Sequence, residues 1–489
     1  MMKLPKHVLI GICVAAVVAI VVGVLLTLTL SAPRKRTVVV EPRRPTVDEA
    51  TARKEIDRRI ADYRAKGERI LVADFKPKPI DPKDNAAEPL MASAAWLDKP
   101  EFDKDPAWQI DIIPEKLTDA QWQQIDAALA RFAPALALID QADGRDAADW
   151  KIEFKSPAMQ ILLRSLNGAR QSANLLRMAA LSSHRAGRDD ETVHRLTQMT
   201  VLARHVDIGH PALVGHLVGS GIVRLTTETL ADVAPTLKIA PIGGSGAGGG
   251  SGASTLPASN GAASREKIAA LIAALLDPRT LDHGWAQAAQ AERMFMHDNY
   301  QCLIDGRMSM NEFVRTSTGK QSTAAKIAAP STAEMLTELA PMLDYMDGLV
   351  AASKAARLPE YRKQQRTPPT ALTEVGRNLL PSYDRAAGVH YAAVTYLRLA
   401  AATLAVRAWS ADHNGALPAS LNDLVPEYLP GVPDDAMSVV PAPLLYATGP
   451  TPIVYSAGVN ETRRPSAVAA TRGAAPRFVK PDFSIPLSR

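Results

Sequence analysis

The sequence predicts a mainly α protein: an N-terminal transmembrane helix, a soluble bundle of helical hairpins, and a small C-terminal α+β module with a β-hairpin. Three observations predict it. Residues 8–30, VLIGICVAAVVAIVVGVLLTLTL, form an apolar run without a charge. At about 1.5 Å per residue a helix of that length reaches roughly 35 Å, enough to cross a bilayer core of about 30 Å. Aromatic residues make up only 5% of the 489, while alanine and leucine recur at helical spacing, which favours packed helices over a β-sandwich. Helix-start signals then recur along the chain, and turn and strand signals gather near its end.

The apolar run reads as an uncleaved anchor, residues 1–33, contacting the lipid bilayer through 8–30. A secretory signal has a shorter apolar core, and Ile12 stands where a lipoprotein signal needs a small residue before Cys13. Lys3 and Lys6 precede the span, whereas Arg34, Lys35, Arg36, Arg43 and Arg44 follow it. The positive-inside rule alone would keep the body in the cytoplasm. Net charge is +5, and two cysteines, Cys13 and Cys302, exclude an internal disulfide framework.

Residues 34–114 read as a stalk helix and an extended linker. Ile56, Ile60 and Tyr63 make one helical stripe that Gly67 can close. The Pro- and Asp-rich stretch from Lys76 to Pro114 reads as extended chain, pinned by Trp96 and Trp108. Residues 115–240 read as a helical hairpin domain. Thr118 and Gln121 form a capping box for a helix to about Asp140. Ser156-Pro157 looks like a cap followed by proline at the first helical position. Asp189 or Asp190 caps the next helix, and Pro211 opens a third, ended by Pro235. Residues 241–264 are a Gly/Ser-rich flexible linker, either a domain boundary or a long loop. Residues 265–384 form a second helical segment, with Ser264 capping 265–276 and a capping box at Ser331 and Glu334. The longest soluble helix runs from Asp384 to Asp412, with Val389, Ala393, Tyr396, Leu397, Ala400, Leu404 and Trp409 on its buried side. Asn414-Gly415 gives it a left-handed stop.

Residues 385–460 carry a specific pattern. Gly415 and Pro418 lead into Leu421, Leu424, Pro426 and Tyr428, followed by the Pro433-Asp434 turn. Two strands follow, one ending in Tyr446 and the other reading Ile453-Val-Tyr455-Ser-Ala-Gly458, joined across Gly449-Pro450. This order resembles the C-terminal half of the major pseudopilin family of type II secretion. The resemblance implies a module packed on its long helix, an extracytoplasmic location, and association with a secretion or pilus-like system. Two departures limit it. The start of the apolar run lacks the family's Gly-Phe pair and glutamate, so filament assembly is not implied. Arg463 and Arg464 follow Asn460, Glu461 and Thr462 where the family can hold calcium, and would repel a cation. Residues 147–230 are similar to helical ectodomains of membrane-anchored bacterial proteins ending in the same module, which supply an architecture and no activity. Lys480 to Pro486 resembles their closing strand-like segment. Residues 461–489 otherwise read as a basic, largely disordered tail.

The chemistry is sparse. His205, Asp207, His210 and His216 are the weak metal candidates, at separations that do not match a helical His pair three or four apart. Gly319-Lys320-Gln321-Ser322 lacks the upstream glycine of a phosphate loop, and no G-x-S-x-G elbow occurs. Asp143, Asp146 and Asp149 read as a helix-linking turn. Arg164, Arg170, Arg177 and Arg185 are spread around helices and form no nucleic-acid stripe. The expectation is a non-enzymatic scaffold or interaction protein of the bacterial inner membrane, with other envelope proteins as partners, no nucleic acid and no cofactor. The alternative is a membrane-tethered, metal-dependent hydrolase using the His205–His216 region.

Overall fold

A computed structural model describes residues 48–241, 261–318, 330–380, 383–449, 452–458 and 484–487. The expected anchor at 8–30, the Gly/Ser run at 242–260, the Gly319–Ser322 echo and most of the basic tail lie outside them. The described chain is mainly helical, with one small sheet.

Helix α1, Glu49–Ala65, begins where the Asp48 side chain accepts from the Thr51 N–H (3.0 Å), and Gly67 follows its end at φ +69°. It is no stalk. Arg59 pairs with Asp344 (2.6 Å), the Tyr63 hydroxyl donates to Asp347 (2.8 Å), and Ile56 is buried. The expected stripe is real, but it faces the body.

The linker reading at 76–114 is also corrected. Helix α2, Ala87–Leu97, lies inside it and packs on α3 (Asp119–Asp140) and α4 (Ser165–Arg185). Pro89 does not break α2, because the first-turn N–H groups have no intrahelical acceptor to lose. Gly168 on α4 admits α2, since a Cβ there would lie 2.3 Å from Ala94 Cβ. The two tryptophans do pin this region: Trp96 stacks on Phe102 and Trp108 on Phe132.

The Thr118–Gln121 capping box opens α3 as the sequence indicates. Ser156-Pro157 does not open a helix. The Ser156 hydroxyl and the Ala158 N–H both donate to Asp298 Oδ2 (3.1 and 2.7 Å), and the Met159 N–H to Asn299 Oδ1 (2.9 Å). These partners fix one short turn, and α4 starts only at Ser165. Helices α4, α5 (Asp189–Gly209) and α6 (Leu213–Val233) then pack in succession as a three-helix stack.

Neither Asp189 nor Asp190 caps α5. Asp189 accepts from His184 Nδ1 (2.6 Å) and the Lys238 N–H (2.8 Å). Asp190 accepts from the Ser264 N–H (3.0 Å) and Lys267 Nζ (2.6 Å). Both carboxylates therefore clamp the two chain ends that flank the Gly/Ser run. Those ends also bond each other, Ala240 N–H to Ala263 O (2.9 Å) and Ala263 N–H to Lys238 O (2.8 Å). Ser264 caps α7, Arg265–Leu276, which packs on α5 and on the long helix at Tyr383–Asp412. One buried apolar cluster thus spans both sides of the run.

Beyond it come α8 (Asp282–Ile304), α9 (Met310–Thr318), α10 (Thr332–Ala352, opened by the Ser331–Glu334 box), α11 (Leu358–Gln364) and α12 (Glu374–Leu379). Helix α13, Tyr383–Asp412, is the central element, touching α6, α7, α11 and the sheet. The stretch 374–412 is apolar enough to cross a membrane, yet 78% of its most apolar window is buried inside the protein. A helix apolar all round belongs either in a membrane or in a core, and this one is packed in a core. Val389 departs from the expected stripe at 42% exposed, whereas Ala393, Leu397, Ala400 and Leu404 are buried. Asn414 (φ +54°) and Gly415 (φ +85°) end α13 in the left-handed region.

The C-terminal module folds back on α13. Pro418, Leu421, Leu424 and Tyr428 are buried, Pro426 is exposed, and the Tyr428 hydroxyl donates to Asp412 (2.8 Å). Strands β1 (Leu445–Ala447) and β2 (Ile453–Tyr455) form the expected antiparallel hairpin, Tyr446 opposite Val454. A third strand, β3 (Ser484–Pro486), pairs antiparallel with β2, so the tail is structured at this point, and Ile485 and Leu487 are buried. Pro433 is buried, while Asp434 is exposed and its neighbour does the structural work. Asp435 is fully buried and accepts from the Met437 N–H, the Ser456 hydroxyl and the Ala457 N–H, all within 2.9 Å. Tyr455 is buried, and Gly458 turns the chain at φ +68°.

Candidate functional site

The helix–turn–helix from α5 to α6 carries the four candidate metal residues, and the structure sends them to three different places. Their ligand atoms do not gather as a site among the described residues. His205 is buried with no partner on Nε2, and its backbone oxygen accepts from Trp150 Nε1 (2.9 Å). Burial, with Arg204 beside it, pushes its imidazole down to about 4.

Asp207 and His216 form a buried pair, Oδ1 to Nδ1 at 2.6 Å, both essentially inaccessible. Burial raises the Asp207 carboxyl, against the opposing pull of His216. The pair sits at the start of α8, where unpaired N–H groups favour negative charge. Gly284, the third residue of α8, makes the approach possible, because a Cβ there would fall 1.8 Å from Asp207 Oδ2. The His216 ring lies 5.2 Å from Trp285 and 5.1 Å from His390, and Trp285 stacks on His390 at 5.0 Å. His216 Nε2 and His390 Nδ1 are buried without a hydrogen-bond partner among the described residues. Close by, burial pushes the Glu292 carboxyl up to about 7, although it accepts from the Leu213 N–H (3.0 Å).

His210 turns the other way. Its Nδ1 faces the Val206 carbonyl (3.0 Å) and so carries the proton, leaving Nε2 to accept from the Ser165 hydroxyl (2.7 Å). A serine on a histidine is the layout of an activated nucleophile. Here the base is held down to about 4 by burial, and its orienting group is a carbonyl instead of a carboxylate. Proton transfer from a hydroxyl to so weak a base is far uphill, and a base suited to neutral pH has a pKa near 7. The bond ties the start of α4 to the end of α5.

Ser165 also lies at the edge of a surface cleft of about 460 Å³ between α2 and the extended chain before α4. Met91, Trp150 and Leu162 give it an apolar lining, with Lys151, Lys155, Arg164, Asp98 and Glu153 around them; Lys151 pairs with Asp149 (2.7 Å) and Lys155 with Glu153 (3.1 Å). Leu162 is 56% exposed, the largest exposure among the described large apolar side chains. Metal-capable atoms do converge elsewhere, at Asp140, Asp143 and His194, where α3 ends against α5.

Sequence reasoning missed Ser165, Trp285, His390, Asp140 and His194. The Asp140–Asp143 spacing was legible, but its histidine comes from another helix. Compared with known proteins, the chain matches no family model, no curated protein and no solved structure.

Proposed function

We propose that the chain is a membrane-anchored interaction protein of the bacterial envelope, held by residues 8–30, whose body binds a partner protein outside the cytoplasm. The observation that carries the binding reading is the cleft beside α4. An exposed leucine among Met91 and Trp150, with a rim of Lys151, Lys155 and Arg164 set against Asp98 and Glu153, suits an extended segment that brings an apolar side chain to Leu162 and a carboxylate to Arg164. The order of motifs at 415–458 supports association with secretion or pilus-like machinery. The buried groups favour binding over hydrolysis, because Asp207 with His216 and His210 with Ser165 are spent on joining helices, and His205 is buried away from them.

Site-specific photo-crosslinking in intact cells tests the reading. A photoreactive residue at position 162 should give one defined adduct, lost when Lys155 and Arg164 are both changed to glutamate. The same residue at position 228, on an exposed face of α6, should give none. Equal labelling at both positions, or none at 162, overturns the reading.

A further inference from the structure

Asp140 at the end of α3, Asp143 in the turn that follows, and a histidine on α5 bring three ligand atoms to one point on the surface. His194 Nε2 lies 3.5 Å from Asp143 Oδ2 and 3.8 Å from Asp140 Oδ1, and all three ligand atoms fall within 4.8 Å of one another. A tetrahedral zinc-class ion holds nitrogen and oxygen ligands at about 2.0–2.1 Å, so neighbouring ligand atoms stand about 3.3 Å apart. The histidine separations miss that spacing by about 0.2 and 0.5 Å, less than the length of a single bond.

The surroundings favour a cation. Asp140 is the last residue of α3, where free carbonyls add partial negative charge. The present donors are replaceable. Gln198 Nε2 bonds both carboxylates (2.9 and 3.0 Å), and Arg195 bonds Asp140. Arg195 keeps Glu191 (2.6 Å) if it releases Asp140, and both residues also line a cleft of about 550 Å³.

We propose that Asp140, Asp143 and His194 bind a divalent transition-metal ion of the zinc class, with the fourth position left to water. The site goes beyond the protein-binding reading and does not depend on it. The test uses the full-length chain in mild detergent, stripped of metal and titrated with cobalt(II). One equivalent should bind with the intense visible spectrum of low-coordinate cobalt and be displaced by zinc. Second-shell changes already cost metal sites about 10–100-fold, so losing a ligand in His194→Ala or Asp143→Asn should weaken binding by more than about 100-fold. Asp143→Asn preserves side-chain volume and reads the site even where His194→Ala destabilises α5. Glu228→Gln, at an exposed ion pair on α6, should leave binding unchanged. Undiminished binding by Asp143→Asn, or no stoichiometric binding by the parent chain, overturns the proposal.

Discussion

Replacing Gly284 with alanine should be among the most damaging small changes in the body, although alanine is normally the better helix residue. An ideal Cβ at 284 would lie 1.8 Å from Oδ2, 2.1 Å from Cγ and 2.2 Å from Oδ1 of Asp207. Ordinary contact begins near 3.4 Å, so the carboxylate must retreat by about 1.5 Å in a close-packed interior. It cannot do so and keep its 2.6 Å bond to His216. Leaving a buried hydrogen-bonding group without its partner costs about 1–3 kcal/mol, to which the steric overlap adds, and the helix-propensity gain of at most about 1 kcal/mol does not offset the two together. The internal control is Gly221→Ala on α6, where a Cβ meets nothing within 4 Å and the gain of about 0.5–1 kcal/mol stands alone. Urea unfolding followed by far-ultraviolet circular dichroism reads both. The midpoint should fall sharply for the first variant and rise for the second. In an Asp207→Ala background, Gly284→Ala should cost close to nothing, a non-additivity that belongs to direct contact. Equal midpoints for the two glycine variants would refute the account of this centre.

Four further outcomes follow from burial, charge and chain connection. Glu292→Gln keeps the acceptor for the Leu213 N–H and removes a carboxyl raised to about 7 from an ordinary value of 4.5. Such a group stabilises the fold below the unfolded pKa and loses that contribution as pH rises through 7. The variant should therefore be more stable than the parent at pH 8, by on the order of 2 kcal/mol after allowing for partial exposure, with the advantage vanishing towards pH 4; a parent that is the more stable at pH 8 argues against it. His205, His210 and His297, buried at about 4 against an ordinary 6.5, act in the opposite sense. Their contribution is complete above pH 6.5 and is lost as pH falls towards 4, so the melting temperature of Glu292→Gln should drop steadily across that window, and a flat profile would contradict the burial. Ending the chain at residue 482 removes the buried Ile485 and Leu487, each worth about 1.5–3 kcal/mol, and should lower the urea midpoint with no gain in solubility. Replacing residues 243–259 with a few glycines should leave one cooperative transition, because the flanking backbones already bond each other; two transitions would mean the run divides separate units.

Much of the helical framework was legible because its signals are local. The two capping boxes at Thr118 and Ser331, the Ser264 cap and the Asn414-Gly415 stop each need only a few adjacent residues. What failed was decided at long range. Ser156-Pro157 has a good helix-start sequence, but Asp298 and Asn299 claim its donors from more than a hundred residues away. The charged look of α1 suggested a solvated stalk, while Arg59 and Tyr63 reach partners on α10. Asp207 and His216 meet across a helix–turn–helix, so no single-helix spacing reveals them, and Gly284 as their enabling residue is visible only once α8 is placed. In the C-terminal module the turn was legible at Pro433-Asp434, yet the buried acceptor is Asp435, which the chain selects by pointing it at Ser456.

The central claim is that a helical body acts while tethered by the apolar run at 8–30. Its most direct test is to fractionate expressing cells and weigh the intact protein by mass spectrometry. Retention in the membrane after alkaline carbonate washing, with the N-terminal residues intact, is the predicted result. Recovery in the soluble fraction with the first thirty residues removed would contradict it.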